Sequence, residues 1–223
     1  MNIFFDIDTS GLELQDRICA MGIYAQEIAL YELVDPEKKI SPHASAHHHI
    51  TNEMVQQSPF FPNTQGYSFL MQHNTQSNTL IVTQSTFVNS MLLKEKFLFQ
   101  GEMIALLRVV KHLIPECEAF TLQYLRYELQ LYKEETGAVP LNALGDCYVL
   151  ELLYRYLLTM VSHEEMIRLS KECVLLQKFS FGKYKDRYIE EIASLDQGYL
   201  RWMLTLDDLD EDLSYSVQYY LKG

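Results

Sequence analysis

The first dozen residues constrain this chain more than any other stretch. Asn2-Ile3-Phe4-Phe5-Asp6-Ile7-Asp8-Thr9-Ser10-Gly11-Leu12 places a short apolar run directly before two carboxylates that sit two positions apart. A run this short reads as a buried strand. Side chains alternate along a strand, so Asp6 and Asp8 share one face. Beside apolar neighbours they repel each other and lose solvation. A divalent cation such as Mg²⁺ or Mn²⁺ relieves that conflict, because hard cations take oxygen ligands. The plainer reading is a strand end carrying two solvated acids. Thr9-Ser10-Gly11 then turns the chain.

More strands follow at once. Arg17 to Tyr24 and Ile28 to Val34 read as strands, with a turn at Asp35-Pro36-Glu37-Lys38-Lys39, so the chain opens as an antiparallel meander. Thr79 to Thr83 is a further short buried strand. Helices are expected over about Val88–Phe97, Met103–Ile114 and Thr121–Tyr132, the last two from apolar residues three and four apart. Gly137-Ala138-Val139-Pro140 breaks the chain before the longest helix, Leu141 to about Val161, whose stripe of Leu144, Tyr148, Leu152 and Tyr156 is expected to pack in the core. Asp146, early in that helix, is a surface group favoured by the helix dipole, unless a partner across the fold gives it a function. Residues 173–223 have their own aromatics and basic cluster, and read as a small C-terminal module behind a larger domain at 1–172.

Composition narrows the function. The chain has 223 residues, 48% hydrophobic and 22% charged, ordinary for a globular protein with a sizeable core. No apolar segment is long enough to suggest a membrane span. Four scattered cysteines without a C-x-x-C point to reduced thiols and a cytoplasmic location. A net charge of −12 argues against sequence-independent adhesion along nucleic acid, though not against a narrow site that grips a strand end through a metal. His47-His48-His49 cannot all converge on one ion, so a loop with one structural histidine is expected there, before a short helix capped by Thr51. In the module, Lys183, Lys185 and Arg187 lie among Phe181, Tyr184, Tyr188 and Tyr199. They suit either backbone tracking with base stacking or a solvated basic face over an aromatic mini-core.

These motifs, in this order, resemble the DEDD (DnaQ-like) superfamily of 3′–5′ exonucleases and its exonuclease X-like branch. The resemblance covers nearly the whole chain. Asp6-Ile7-Asp8-Thr9-Ser10-Gly11 is similar to the family's D-x-E-T-x-G. Ile40-Ser41-Pro42, followed by His48-x-Ile50-Thr51, is similar to its I-S-P…H-x-I-T segment. Ala143-Leu144-x-Asp146-Cys147-Tyr148 resembles its third motif. Phe181-Gly182-Lys183-Tyr184-Lys185 and Gly198-Tyr199-Leu200-Arg201-Trp202 resemble the branch's C-terminal module. The resemblance implies a ribonuclease H-like α/β fold, a mixed central sheet flanked by helices. It also implies four acids holding two divalent ions roughly 3.5–4 Å apart, which clamp the attacking and leaving oxygens of a phosphodiester. A histidine five positions before the last acid would act as general base.

Two of those positions are altered. Asp6 and Asp146 match, and Asp8 stands where glutamate is usual. Val88 replaces the second-motif aspartate, and Leu141 replaces the general-base histidine. The resemblance therefore implies a reduced Mg²⁺ or Mn²⁺ site of Asp6, Asp8 and Asp146, with a drier pocket around Val88 and Leu141. Losing the base alone costs about 10²–10⁴ in rate, so hydrolysis at DNA 3′ ends is expected to be severely impaired or lost. His43, His48 and His112 are the candidate substitutes. The alternative is a non-catalytic module of replication or repair that binds a nucleic-acid end or an unknown protein partner.

Overall fold

The computed structural model describes residues 1–13, 15–135 and 139–222. Its centre is a five-stranded mixed sheet in the order β3-β2-β1-β4-β5. The expected meander is present as β1 (Asn2–Thr9), β2 (Ile18–Ala25) and β3 (Ile28–Leu33), paired antiparallel. β4 (Thr79–Val82) then runs parallel to β1, matching Phe4 with Ile81. β1 is therefore central, at the switch from antiparallel to parallel pairing.

Helices flank this sheet. They begin with α1 (Pro42–His48), α2 (Asn52–Val55), α3 (Gln65–Gln72), α4 (Ser85–Lys94) and, beyond the last strand, α5 (Leu106–Leu113). Two expectations are corrected here. The segment before Thr51 is not a loop. Ser41 accepts from the Ala44 amide at 3.1 Å, and Pro42 takes the first turn, an ordinary start for helix α1. The helix expected from Met103 instead begins at Leu106, because Glu102–Ala105 forms β5, parallel to β4 with Ile104 beside Ile81. A run as short as Met103-Ile104-Ala105 fits either element, and pairing with a buried neighbour decided it.

After α6 (Leu122–Glu128) a 3₁₀ turn covers Leu131–Glu134, so the helix expected to reach Tyr132 stops early. The expected break at Gly137-Ala138 lies outside the described residues. α7 (Ala143–Leu158) is capped by Asn142, whose Oδ1 accepts from the Leu144 and Gly145 amides at 3.1 Å each. Its expected core stripe is only partly so. Leu152 is buried, but Leu144, Tyr148 and Tyr156 are half-buried, and Cys147, Leu150, Leu153 and Leu157 go deepest.

Alternation along β1 splits the core. Phe4 packs with Ile81, Ile104 and the apolar faces of α5, α6 and α7. Ile3, Phe5 and Ile7 face the other way, against Leu70 of α3 and Val88, Met91 and Leu92 of α4. Asp6 and Asp8 follow Phe4, so they point to the α7 side.

Beyond α8 (His163–Leu169), three short helices α9 (Ile189–Leu195), α10 (Gln197–Met203) and α11 (Glu211–Lys222) enclose a separate cluster of Phe179, Ile189, Ile192, Leu200, Met203, Leu213 and Val217. Buried Asp212 ties α11 back to the rest. It accepts from Arg108 of α5 at 2.6 Å and from the Val174 amide at 2.9 Å.

Candidate active site

One absent side chain sets the geometry. Asp6 pairs across the sheet with Gly22. A Cβ on Gly22 would lie 2.3 Å from the Ala143 carbonyl and 2.4 Å from the Leu144 amide nitrogen. Only glycine lets the start of α7 descend onto β2, and that descent brings Asp146, in the first turn of α7, over the end of β1. A register shift between Asp8 and Thr9 bends the strand end at the same place.

The three acids repel one another. Burial, and then the charges of Asp146 and Asp8, push Asp6 well above the ordinary carboxylate range. Asp8 is pushed up to about 7, by burial and then by Asp146. Burial also raises Asp146, opposed by a hydrogen bond from Gln123 and by the charges of Arg126 and His47. Asp8 Oδ2 is buried with no hydrogen-bond partner. The surroundings respond. Cys19 and Tyr31 are each pushed up to about 12, by burial first and the Asp8 charge second.

An orphaned buried oxygen and three crowded carboxylates have the donor chemistry of one hard cation. Among the described residues, no three His, Cys, Asp or Glu side chains are gathered tightly enough to form a ready metal site.

The two positions at which an acid and a base were expected from the resemblance, Val88 and Leu141, behave differently from each other. Val88 is 1% exposed and packs into the cluster on the opposite face of the sheet from the acids. Leu141 is 84% exposed. The expected drier pocket is therefore corrected at Leu141, which shields nothing, while Val88 is simply core.

Among the three successive histidines, His48 is the structural one. Its Nε2 donates to the Thr9 carbonyl at 3.1 Å, and its Nδ1 accepts from the Ile50 amide at 3.0 Å, so no nitrogen is left to take a proton. His43 is exposed on the first turn of α1. His112 lies within 3.4 Å of the Glu172 carbonyl. The histidine whose charge reaches Asp146 is His47, exposed on the last turn of α1. Sequence reasoning passed over it, because only the fold sets α1 beside α7.

In the C-terminal segment, Lys183 donates to Asp196 at 3.0 Å and lies 4.6 Å over the Tyr184 ring. Arg187 pairs with Glu191, four residues on. Lys185 is exposed. Two of the three basic candidates thus already have carboxylate partners within the segment.

Comparison with known proteins places this architecture. The structure matches the nuclease domain of 3′hExo, a DEDDh family member solved bound to rAMP, with a TM-score of 0.55 and 13% identity over 71% of this chain and 92% of that one. It matches exonuclease X in complex with 5′ overhanging duplex DNA with a TM-score of 0.62 and 23% identity, over 76% of this chain and 99% of that one. The fold is that of the DEDDh exonucleases, the ribonuclease H-like exonuclease fold. In sequence the chain is similar to an exonuclease X relative. It is 25% identical to Exodeoxyribonuclease 10 of Escherichia coli K12 over 97% of this chain and 98% of the relative. Residues 179–205 also match the family described as Exodeoxyribonuclease X-like C-terminal.

Proposed function

We propose that this chain is a cytoplasmic protein of DNA metabolism that binds nucleic-acid 3′ ends at the Asp6, Asp8 and Asp146 cluster, with phosphodiester hydrolysis severely impaired. The observation that carries the reading is the partnerless Asp8 Oδ2 inside a knot of raised carboxylates, with a valine at the position expected for the fourth acid, packed in the core on the other face of the sheet. Asp6, Asp8 and Asp146 would hold one Mg²⁺ or Mn²⁺. When bound, that ion neutralises the acids and attracts a phosphate oxygen. The chain's own residues supply the rest. Thr9, held by His48, and the turn at Ser10-Gly11 fix the floor beside the acids. With Leu141 in the place of the base, no side chain at that position takes a proton from water. Residues 1–172 form the end-binding domain and residues 173–223 the module. Of Lys183, Lys185 and Arg187, Lys185 is the one without a carboxylate pair among the described residues, and the three together would meet a phosphate backbone.

One observation favours a second reading, weak residual hydrolysis. His47 lies close enough to Asp146 to favour its charge, and an imidazole there can accept a proton.

The test follows a 5′-labelled single-stranded oligonucleotide in Mg²⁺ and Mn²⁺, by binding and by length, against the Asp6→Ala/Asp146→Ala control. Metal-dependent binding without shortening, lost in the control, is expected. Shortening abolished by the control and by His47→Ala supports the second reading. Absence of both binding and shortening overturns the end-binding proposal and leaves a protein-interaction role.

A further inference from the structure

A polar chain reaches the acids from α6. Gln123 donates through Nε2 to Asp146 Oδ1 at 2.6 Å. Its Oε1 accepts from Arg126 Nη1 at 3.2 Å, one turn further along the helix. Arg126 in turn donates through Nε and Nη2 to the two oxygens of Glu135, at 2.6 and 2.7 Å. The side chains of Arg126 and Glu135 are 9% and 10% exposed, so this two-pronged pair is sheltered and keeps its geometry.

The order of donors fixes the glutamine. A guanidinium carries donors only, so the amide oxygen of Gln123 must face Arg126. Its nitrogen must then face Asp146. The inverted amide would set nitrogen against the guanidinium and oxygen against the carboxylate. An isolated surface glutamine has no such constraint. Asp146 consequently has Oδ1 committed to Gln123, while Oδ2 carries no bond from it.

We infer that Gln123, oriented by the Arg126–Glu135 pair, is a positioning residue that presents Asp146 as a one-oxygen ligand to a single divalent cation. The inference rests on the cation-holding role proposed for Asp6, Asp8 and Asp146. Hydrogen-bond partners of metal ligands typically contribute 10–100-fold to metal affinity. Gln123 sits at the exposed rim, which places its contribution near the lower end.

The test is calorimetric titration of Mn²⁺ alone into the wild-type chain, Gln123→Met and Gln123→His. Methionine keeps the length and removes both donors, whereas histidine retains a ring N–H. Gln123→Met is expected to bind Mn²⁺ about tenfold more weakly, at unchanged stoichiometry and with an unchanged metal-free melting temperature. Gln123→His is expected to stay within about threefold of wild type, within the spread of one hydrogen bond. Equal affinity of wild type and Gln123→Met overturns the inference and leaves the reading of the acids intact. Equal losses in both variants assign the effect to packing and also overturn it. No Mn²⁺ binding by the wild-type chain overturns the reading of the acids, and the inference with it.

Discussion

Replacing Asp8 by asparagine isolates the electrostatic strain at the end of β1. In the metal-free chain Asp8 is held at about 7 against an ordinary 3.8. At about 1.36 kcal/mol per decade of proton affinity, that gap corresponds to roughly 4 kcal/mol of disfavoured charge. Asp8 keeps part of its surface in water, so screening reduces the observable effect to about 1–2 kcal/mol. The direction follows from proton linkage. Between 3.8 and about 7 the folded chain holds the proton that the unfolded chain has released. Stability is therefore highest below this window, falls as pH rises through it, and stays low above it. The asparagine side chain has the same shape and no charge. In chelator at pH 8, Asp8→Asn should melt about 4 °C above wild type, since 1 kcal/mol moves Tm by about 2–4 °C at this chain length. At pH 5, about a third of the way through that window, only about a third of the gap has opened, so the difference should shrink to about 1–2 °C. Mn²⁺ at pH 8 should raise the wild type and leave the variant unmoved. Scanning calorimetry at both pH values, with and without Mn²⁺, reads all three effects. A gain of equal size at pH 5 and pH 8, or a loss at pH 8, would refute the reasoning.

Other expectations come from the same geometry. Val88→Asp should lower stability by about 3–5 kcal/mol in urea unfolding and restore no nuclease activity, because it buries an unpaired charge in the apolar cluster against the far face of the sheet. Wild-type stability with activity gained would show that the side chain swings to the acid face. Gly22→Ala should cost about 1–3 kcal/mol, because its Cβ meets the Ala143 backbone. It should also weaken Mn²⁺ binding by pushing Asp146 away, so unchanged Mn²⁺ affinity would count against the role given to that close approach. Lys183→Glu/Lys185→Glu tests the module. If the segment tracks a strand, affinity for single-stranded DNA drops and its salt dependence flattens; an unchanged, measurable affinity removes these residues from binding.

The sequence alone carried a good deal. The meander, β4 and α7 follow from apolar runs and turn residues whose meaning is local. The placement of Asp6 and Asp8 on one face follows from strand alternation. That Val88 and Leu141 can neither bind a cation nor take a proton is legible from their identity alone. Elements with an ambiguous local signal were not legible. Glu102–Ala105 became a strand only because β4 offered it a partner, and Pro42–His48 became a helix despite its run of histidines. What tertiary structure alone decided is which groups meet. Asp146 comes to the strand end because Gly22 has no side chain to hold α7 off, a contact between residues more than a hundred positions apart. His48 is consumed by two backbone groups, whereas His47, one position away, is left beside Asp146. Gln123 is turned by Arg126 and Glu135. Periodicity and propensity act over a few residues, while burial, repulsion and hydrogen-bond polarity at this site depend on distances in space.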